Sequence, residues 1–455
     1  MNAEHRTRQP AVDSGDTATR SPLDILFAMF QGGGNIPLIV PIVNQLTDRG
    51  HRVRVLAGNG VRSNRLPISP DFLSHLHATG AEVIQVADPE PHPFDITPPI
   101  QGLIRGWTPD YMKLIPLTAR PNYWSPAWSQ FVWSELQKAS ADVVAADFVL
   151  IGALAAAEAA GIPAAVIVHQ AFYPWPAPGA PPYGTGAMPA RGPLRWLRDR
   201  LFNAASRRIY IRDGLAPHNR ARAQLGLEPL HSPLDQYDRA ARVLLLGSKA
   251  FDFPARRLPP NVRYVSAPTD TDPVPRWVSP WPDDDPRPLV LVSLSTLAFG
   301  QGPIIQRILI ALADLPVRAL VTIGPSLDPG DFTAPPNVQL ETFVPHAAVM
   351  PETAAMVTQC GLSTLMKALA AGLPLVCIPI GADQPDNAAR VVARGAGISL
   401  TPDASPDQIG VAIQRVLDDP RYRAAAQRLA AVLANEDGTQ NAADEIEIAA
   451  RTRQM

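Results

Sequence analysis

The chain has 455 residues, 46% of them hydrophobic and 18% charged, and 40 basic against 42 acidic residues leave a net charge of −2. That length exceeds the roughly 250–300 residues one core supports, so two domains are expected, and the near-neutral charge excludes a basic footprint for nucleic acid or anionic lipid. Two cysteines, Cys360 and Cys377, cannot build a disulfide framework and neither stands in metal-ligand spacing, which excludes a cysteine metal site and fits a reducing cytoplasm.

Residues 1–21 are polar and mixed in charge, with no apolar core of signal-peptide length and nothing to span a bilayer, and read as a disordered leader. From Asp24 the run DILFAMF has strand length; QGGGN is a loop, 36–49 has a helical pattern and RVRVLAG is a second strand, which together make a βαβ unit. The alternation continues through AEVIQVA (81–87), DVVAADF (142–148), the helix LIGALAAAEAAG, AAVIVH (164–169) and VLLLG (243–247), so the first domain spans 22–266. Residues 267–288 carry Pro and Asp at linker density, and Asp283, Asp284 and Asp285 read as a solvated turn. The pattern restarts with LVLVSLST (289–296), a helix at 304–313, VRALVTIG (317–324), VQLETFV (338–344), a helix across 363–371 and PLVCIPI (374–380). The second domain therefore spans 289–430, and 431–455 is a helical tail. The fold class is α/β: two doubly wound parallel sheets whose carboxyl ends face one cleft, where such sheets bind ligands.

The stretch from Thr358 to Gly395, TQCGLSTLMKALAAGLPLVCIPIGADQPDNAARVVARG, carries the chemistry. Gly361, Ser363 and Thr364 lie at a strand-to-helix turn, where N–H groups and a helix N-terminus face an anion; a plain N-cap explains the same residues. Twenty residues on, Asp383 and Gln384, followed by Asn387, offer acceptors and donors matched to vicinal sugar hydroxyls.

With FVPH, QCGLST, GLP, IP and DQPDNAARV in this order, the segment 343–395 resembles the donor signature of the inverting glycosyltransferases of two-domain GT-B fold that act on antibiotics, macrolides and plant natural products. DILFAMFQGGGNIPLIVPIVNQLTDRGHRVRVLAG is similar to the family's first βα unit and LVSLST to the opening of its second domain. The resemblance implies sugar transfer, with inversion, from a nucleoside diphosphate sugar such as a UDP-sugar to a small hydrophobic acceptor, without a metal or resident cofactor. It implies Phe343 and Val344 at the nucleobase, beside His346 of FVPH. Gln359, Cys360, Gly361, Ser363, Thr364, Ser295 and Thr296 would surround the diphosphate, and Asp383 and Gln384 the sugar.

The departures from the pattern are chemical. Gln359 replaces a phosphate-binding His and brings no positive charge, and Lys367 replaces a ribose-binding Glu and has no acceptor; a solvent-facing lysine is the plainer reading of Lys367. Gly34 stands where the family keeps its catalytic His, whereas the partner Asp is kept as Asp147. Asp147 acts as a base, orients another base or caps the next helix. Three accounts of Gly34 stay open: an acceptor that needs little base assistance, another side chain such as His169 or His92, or loss of transfer. His169 ends an apolar strand and fits a core or rim histidine equally well. The aromatic run Trp107, Tyr111, Tyr123, Trp124, Trp128 and Trp133, with Tyr173, Trp175 and Tyr183, reads as core packing or as the wall of an apolar acceptor pocket, the Pro-rich context favouring the wall. The rival function is a glycosyltransferase-like protein that catalyses an addition or rearrangement, or that assists another enzyme as an auxiliary protein; a homodimer stays open, and no nucleic acid or membrane partner is expected. QGGGN lacks G-x-G-x-x-G spacing and no acidic residue follows in the right place, which argues against an NAD-dependent dehydrogenase.

Overall fold

The computed structural model describes residues 21–29, 36–58, 70–87, 122, 124–169, 179–253, 255, 257–268, 277–294, 301–324 and 327–452. Its frame is two parallel sheets. The first has the order β3-β2-β1-β4-β5-β6-β7 and the second β10-β9-β8-β11-β12-β13, so both change winding direction beside their first strand. In the first sheet the strands are β1 (Asp24–Met29), β2 (Arg52–Gly58), β3 (Glu82–Val86), β4 (Val143–Asp147), β5 (Ala164–Val168), β6 (Arg242–Leu245) and β7 (Val262–Tyr264). In the second they are β8 (Leu289–Ser293), β9 (Arg318–Thr322), β10 (Val338–Glu341), β11 (Thr353–Thr358), β12 (Leu375–Cys377) and β13 (Gly397–Ser399). Every residue of β4, β5 and β8 is buried, as expected of parallel strands covered by helices on both faces.

The first sheet carries α1 (Ile36–Asp48), α2 (Pro70–Ala78), α3 (Ser125–Lys138), α4 (Ile151–Ala159), the 32-residue α5 (Pro193–Gln224) and the short α6 (Asp235–Asp238). Gly152 lets α4 touch α3: a Cβ there would stand 2.2 Å from the Ser125 carbonyl oxygen. The second sheet carries α7 (Gly302–Ala313), the single turn α8 (His346–Val349), α9 (Leu362–Ala370), α10 (Gln384–Ala393), α11 (Pro406–Asp418) and α12 (Pro420–Leu433). Ser405 and Gln408 form a capping box that fixes the start of α11.

The last helix, α13 (Gly438–Arg451), belongs to the first sheet. It packs on α1 and on β4, β5 and β6, with Ala442, Ala443, Ile446, Ala449 and Ala450 buried. Buried Glu447 meets Arg49 at 2.6 Å and His51 at 3.2 Å, and Glu445 meets Arg242 at 2.6 Å. The expected tail is thus a structural part of the opposite domain. One apolar cluster runs from α1 and β1 through α13 to β8, β11 and α9, joining both sheets. The domains also meet at α10, where Arg390 pairs with Asp252 at 2.7 Å, both buried, and the Tyr264 hydroxyl donates to the same carboxylate at 2.5 Å.

Candidate functional site

Asp147 ends β4 and His169 directly follows β5, the neighbouring strand. Because a βαβ crossover lays these strands side by side in parallel, their carboxyl ends arrive together on the cleft rim. Asp147 Oδ1 accepts the Val149 N–H at 3.1 Å, and Oδ2 lies 3.2 Å from His169 Nε2. That is ion-pair reach, although the ring nitrogen is not aligned into a hydrogen bond. Asp147 does not cap the next helix: the residue preceding α4 is Leu150, with no side-chain cap bond. Phe148 packs edge-on to the imidazole at 4.9 Å between centroids. Burial alone would depress the His169 pKa, but Asp147 foremost, and then Asp383 of the other domain, raise it above the ordinary imidazole value.

Across the cleft, β11 runs into the turn Gln359–Gly361 and then α9. The helix begins at Leu362, one residue before the sequence expectation, and its N-cap is Gly361 without a side-chain bond, so Ser363 and Thr364 are not N-caps. The first ladder bond runs from Leu365 N–H to the Gly361 carbonyl, leaving the N–H groups of Leu362, Ser363 and Thr364 ahead of the ladder. Cys360 takes φ of 70°, a left-handed conformation uncommon outside glycine, and this turns the chain sharply into the helix. Gln359 is buried; its Oε1 has no hydrogen-bond partner among the described residues, and its Nε2 lies 3.4 Å from where a Gly361 Cβ would stand.

Phe343 is 75% exposed, and Val344 packs on the apolar core. His346 Nε2 is 3.2 Å from the Thr322 hydroxyl, and burial, then the charge of Lys367, lowers its pKa to about 4. Lys367 is therefore not a plain solvent-facing residue: it is half-buried in the second turn of α9, within electrostatic reach of His346.

Asn387 joins the two halves of the signature. Its Nδ2 donates to the Cys360 carbonyl at 2.9 Å and to Asp383 Oδ2 at 2.8 Å, so the α9 turn and the Asp383 carboxylate share one amide. Burial raises the Asp383 pKa against the opposing Asn387 bond and His169 charge. Gln384 points partly homeward: its Oε1 accepts the N–H groups of Ile380 at 2.8 Å and Gly381 at 3.1 Å, which leaves Nε2 as the end able to meet a ligand.

Trp124 and Trp128 correct the expectation of an acceptor wall. Both are buried in the core under β4 and α4, Trp128 edge-on to Phe131 at 5.8 Å, and Trp133 packs on the same cluster. Tyr183 is half-buried on the apolar core that joins the two sheets, within electrostatic reach of Asp383 and Asp386. Gly34, His92, Trp107, Tyr111, Tyr123, Tyr173, Trp175, Ser295 and Thr296 lie outside the described residues. Sequence reasoning gave Asp386 no role; its partners lie about two hundred positions away and left no local signal.

The 4'-demethylrebeccamycin synthase of Lentzea aerocolonigenes is 30% identical over 436 residues, 93% of this chain and 98% of that protein. The chain belongs to the natural-product glycosyltransferases. A family described as erythromycin biosynthesis protein CIII-like, C-terminal domain, matches residues 306–448 of this glycosyltransferase. The demethyllactenocin mycarosyltransferase of Streptomyces fradiae is 35% identical over 166 residues, 36% of each chain. Among solved structures the calicheamicin glycosyltransferase CalG4 superposes with a TM-score of 0.70 at 25% identity, covering 94% of this chain and 98% of its own. Two parallel sheets in this arrangement are the GT-B fold, and sugar transfer is the family's activity. No described helix is long and apolar enough to cross a membrane.

Proposed function

We propose that the protein transfers a sugar from a nucleoside diphosphate sugar to a small hydrophobic acceptor hydroxyl, inverting the anomeric carbon, with His169 as general base. The observation that carries this reading is the 3.2 Å contact of His169 with Asp147 at the rim facing Asp383, in a chain whose usual base position is Gly34. Asp147 stabilises the imidazolium that forms as His169 takes the proton of the acceptor hydroxyl, whose oxygen attacks the anomeric carbon. The bond to the diphosphate breaks on the opposite face, and the leaving group takes the electron pair.

The N–H groups of Leu362, Ser363 and Thr364, at the positive end of α9, support the negative charge developing on the diphosphate, with the Gln359 amide beside them as a neutral donor. This reading asks for no metal. Asp383 accepts from sugar hydroxyls and Gln384 Nε2 donates, while exposed Phe343 offers its ring to the nucleobase. A natural-product acceptor is in keeping with relatives such as a 4'-demethylrebeccamycin synthase and a demethyllactenocin mycarosyltransferase.

Calorimetric titration with UDP- and dTDP-sugars, paired with Asp383→Ala and Gln384→Glu, tests the proposal. Gln384→Glu keeps an acceptor for Ile380 and Gly381 while removing the outward donor. Donor binding unchanged in both variants would overturn the sugar-holding assignment, and silence of the wild type across the panel would favour the rival reading of a rearrangement or auxiliary protein.

A further inference from the structure

Asp386 lies in the first turn of α10, just after the Asp383–Gln384 pair, and is 5% exposed. Its carboxylate grips the other domain: Oδ2 accepts the N–H of Gly184 at 2.5 Å and Oδ1 that of Gly186 at 2.9 Å, groups 202 and 200 residues earlier in the chain. Gly184 and Gly186 have φ of 72° and 62°, so this backbone folds its N–H groups into a small concave nest around one anion. Thr185 braces the turn, donating its hydroxyl to the Pro182 carbonyl at 2.7 Å. Tyr183, at the head of the turn, packs on the shared core; burial first, then the charges of Asp383 and Asp386, hold its phenol proton well above the ordinary tyrosine value.

A buried carboxylate is an unfavourable way to fasten a loop for stability alone. Burial raises Asp386 to about 6 and nearby Asp383 adds to this, although Arg390 and the two glycine N–H groups work in the opposite sense. A neutral acceptor would hold the turn with less desolvation, so the charge points to a task other than stability.

We propose that Asp386 is a positioning residue for transfer: it fastens the Tyr183–Gly186 turn of the first domain to the helix that begins beside Asp383, and so sets the Tyr183 ring as a wall where acceptor and donor sugar meet. This rests on the sugar-transfer reading. Tyr183 belongs to the first domain and the donor residues Asp383 and Gln384 to the second, so the fastening governs acceptor affinity and leaves donor binding alone.

Asp386→Asn conserves shape but turns an N–H of its own toward one of the two glycine donors. With dTDP-glucose as donor and 4-methylumbelliferone as acceptor probe, the variant is expected to raise acceptor KM about tenfold, about 1.4 kcal/mol of lost acceptor contact, with kcat and donor KM within about twofold. Its melting temperature should fall only modestly, because a single buried N–H is left facing a glycine N–H. Gly186→Ala, strained at a φ of 62°, should raise acceptor KM alike, and the double variant should add little to either. An unchanged acceptor KM in Asp386→Asn would overturn the proposal; so would a large drop in melting temperature with donor and acceptor KM both worsened, the signature of a merely structural residue. A wild type that transfers from no nucleotide sugar would fell the transfer reading instead. The fastening is then decided by hydrogen exchange at the Gly184 and Gly186 amides: protection lost in Asp386→Asn supports it, and protection retained refutes it.

Discussion

Replacing His169 by alanine removes the imidazole that stands 3.2 Å from Asp147 and leaves the described rim between the two domains without a neutral nitrogen base on the β4–β5 side. A positioned general base contributes about 10²–10⁴-fold, or roughly 2.7–5.4 kcal/mol at about 1.36 kcal/mol per decade, and kcat should fall within that range. The His169 side chain is 21% exposed and makes one edge contact with Phe148, so the fold should tolerate the change and the loss should appear in turnover. The pH profile gives the sharper readout. A base acts when unprotonated, and Asp147 and Asp383 raise the His169 pKa, so the acid limb of kcat/KM should lie above the ordinary imidazole value of about 6.5. Asp147→Asn should move that limb to lower pH, because the stabilising negative charge is gone while the Asn oxygen can still accept from Val149. Stability should follow the same linkage: a raised folded-state pKa contributes fully below the unfolded value and fades as pH rises through the folded one. The melting-temperature gap between wild type and Asp147→Asn should therefore narrow from pH 6 to pH 9. If His169→Ala kept kcat within about threefold and retained the same acid limb, the assignment of His169 as base would be refuted.

Three further outcomes follow from contacts elsewhere. Asp252→Ala strands the Arg390 guanidinium, 5% exposed, in the domain seam and should lose about 3–5 kcal/mol in urea unfolding, while Asp252→Leu with Arg390→Met should lose much less; equal losses would mean the pair is not energetically coupled. Lys367→Met should raise the NMR titration midpoint of His346 from about 4 toward the ordinary value, and an unmoved midpoint would assign the whole depression to burial. Ile446→Ala, a fully buried truncation in α13, should lower one calorimetric transition by about 2–5 kcal/mol; two resolved transitions would show that the shared cluster does not couple the domains.

The strands legible in the sequence were the long apolar runs: VLVS, RALVT and AAVIV need no partner information to be recognised. β11, TAAMVT, is the strand beside the switch point of the second sheet, yet it reads poorly because alanine is a weak strand former and the preceding Pro-Glu looks like a turn. α5 hid in a mixed arginine-rich segment of little net hydropathy. The residues His169 and Asp147 are both legible as candidates, and their contact follows because adjacent strands of one βαβ unit deliver their carboxyl-terminal residues to the same rim, but neither residue alone carries a local signal of the pairing. Asp386 could not have been found: a carboxylate received by two glycine N–H groups in the other domain is a property of the assembled molecule.

The placement of α13 carries a consequence for biosynthesis. The apolar flank formed by α1 and β4 to β6 is complete by residue 245, yet the helix that covers it comes from residues 438–451. During translation that flank must wait, uncovered, while nearly two hundred further residues are made. At a usual elongation pace of about 5–20 residues per second the wait lasts roughly ten to forty seconds. A ribosome that stalls in that interval leaves a sticky nascent chain, so added chaperone supply during expression should raise the yield of folded protein.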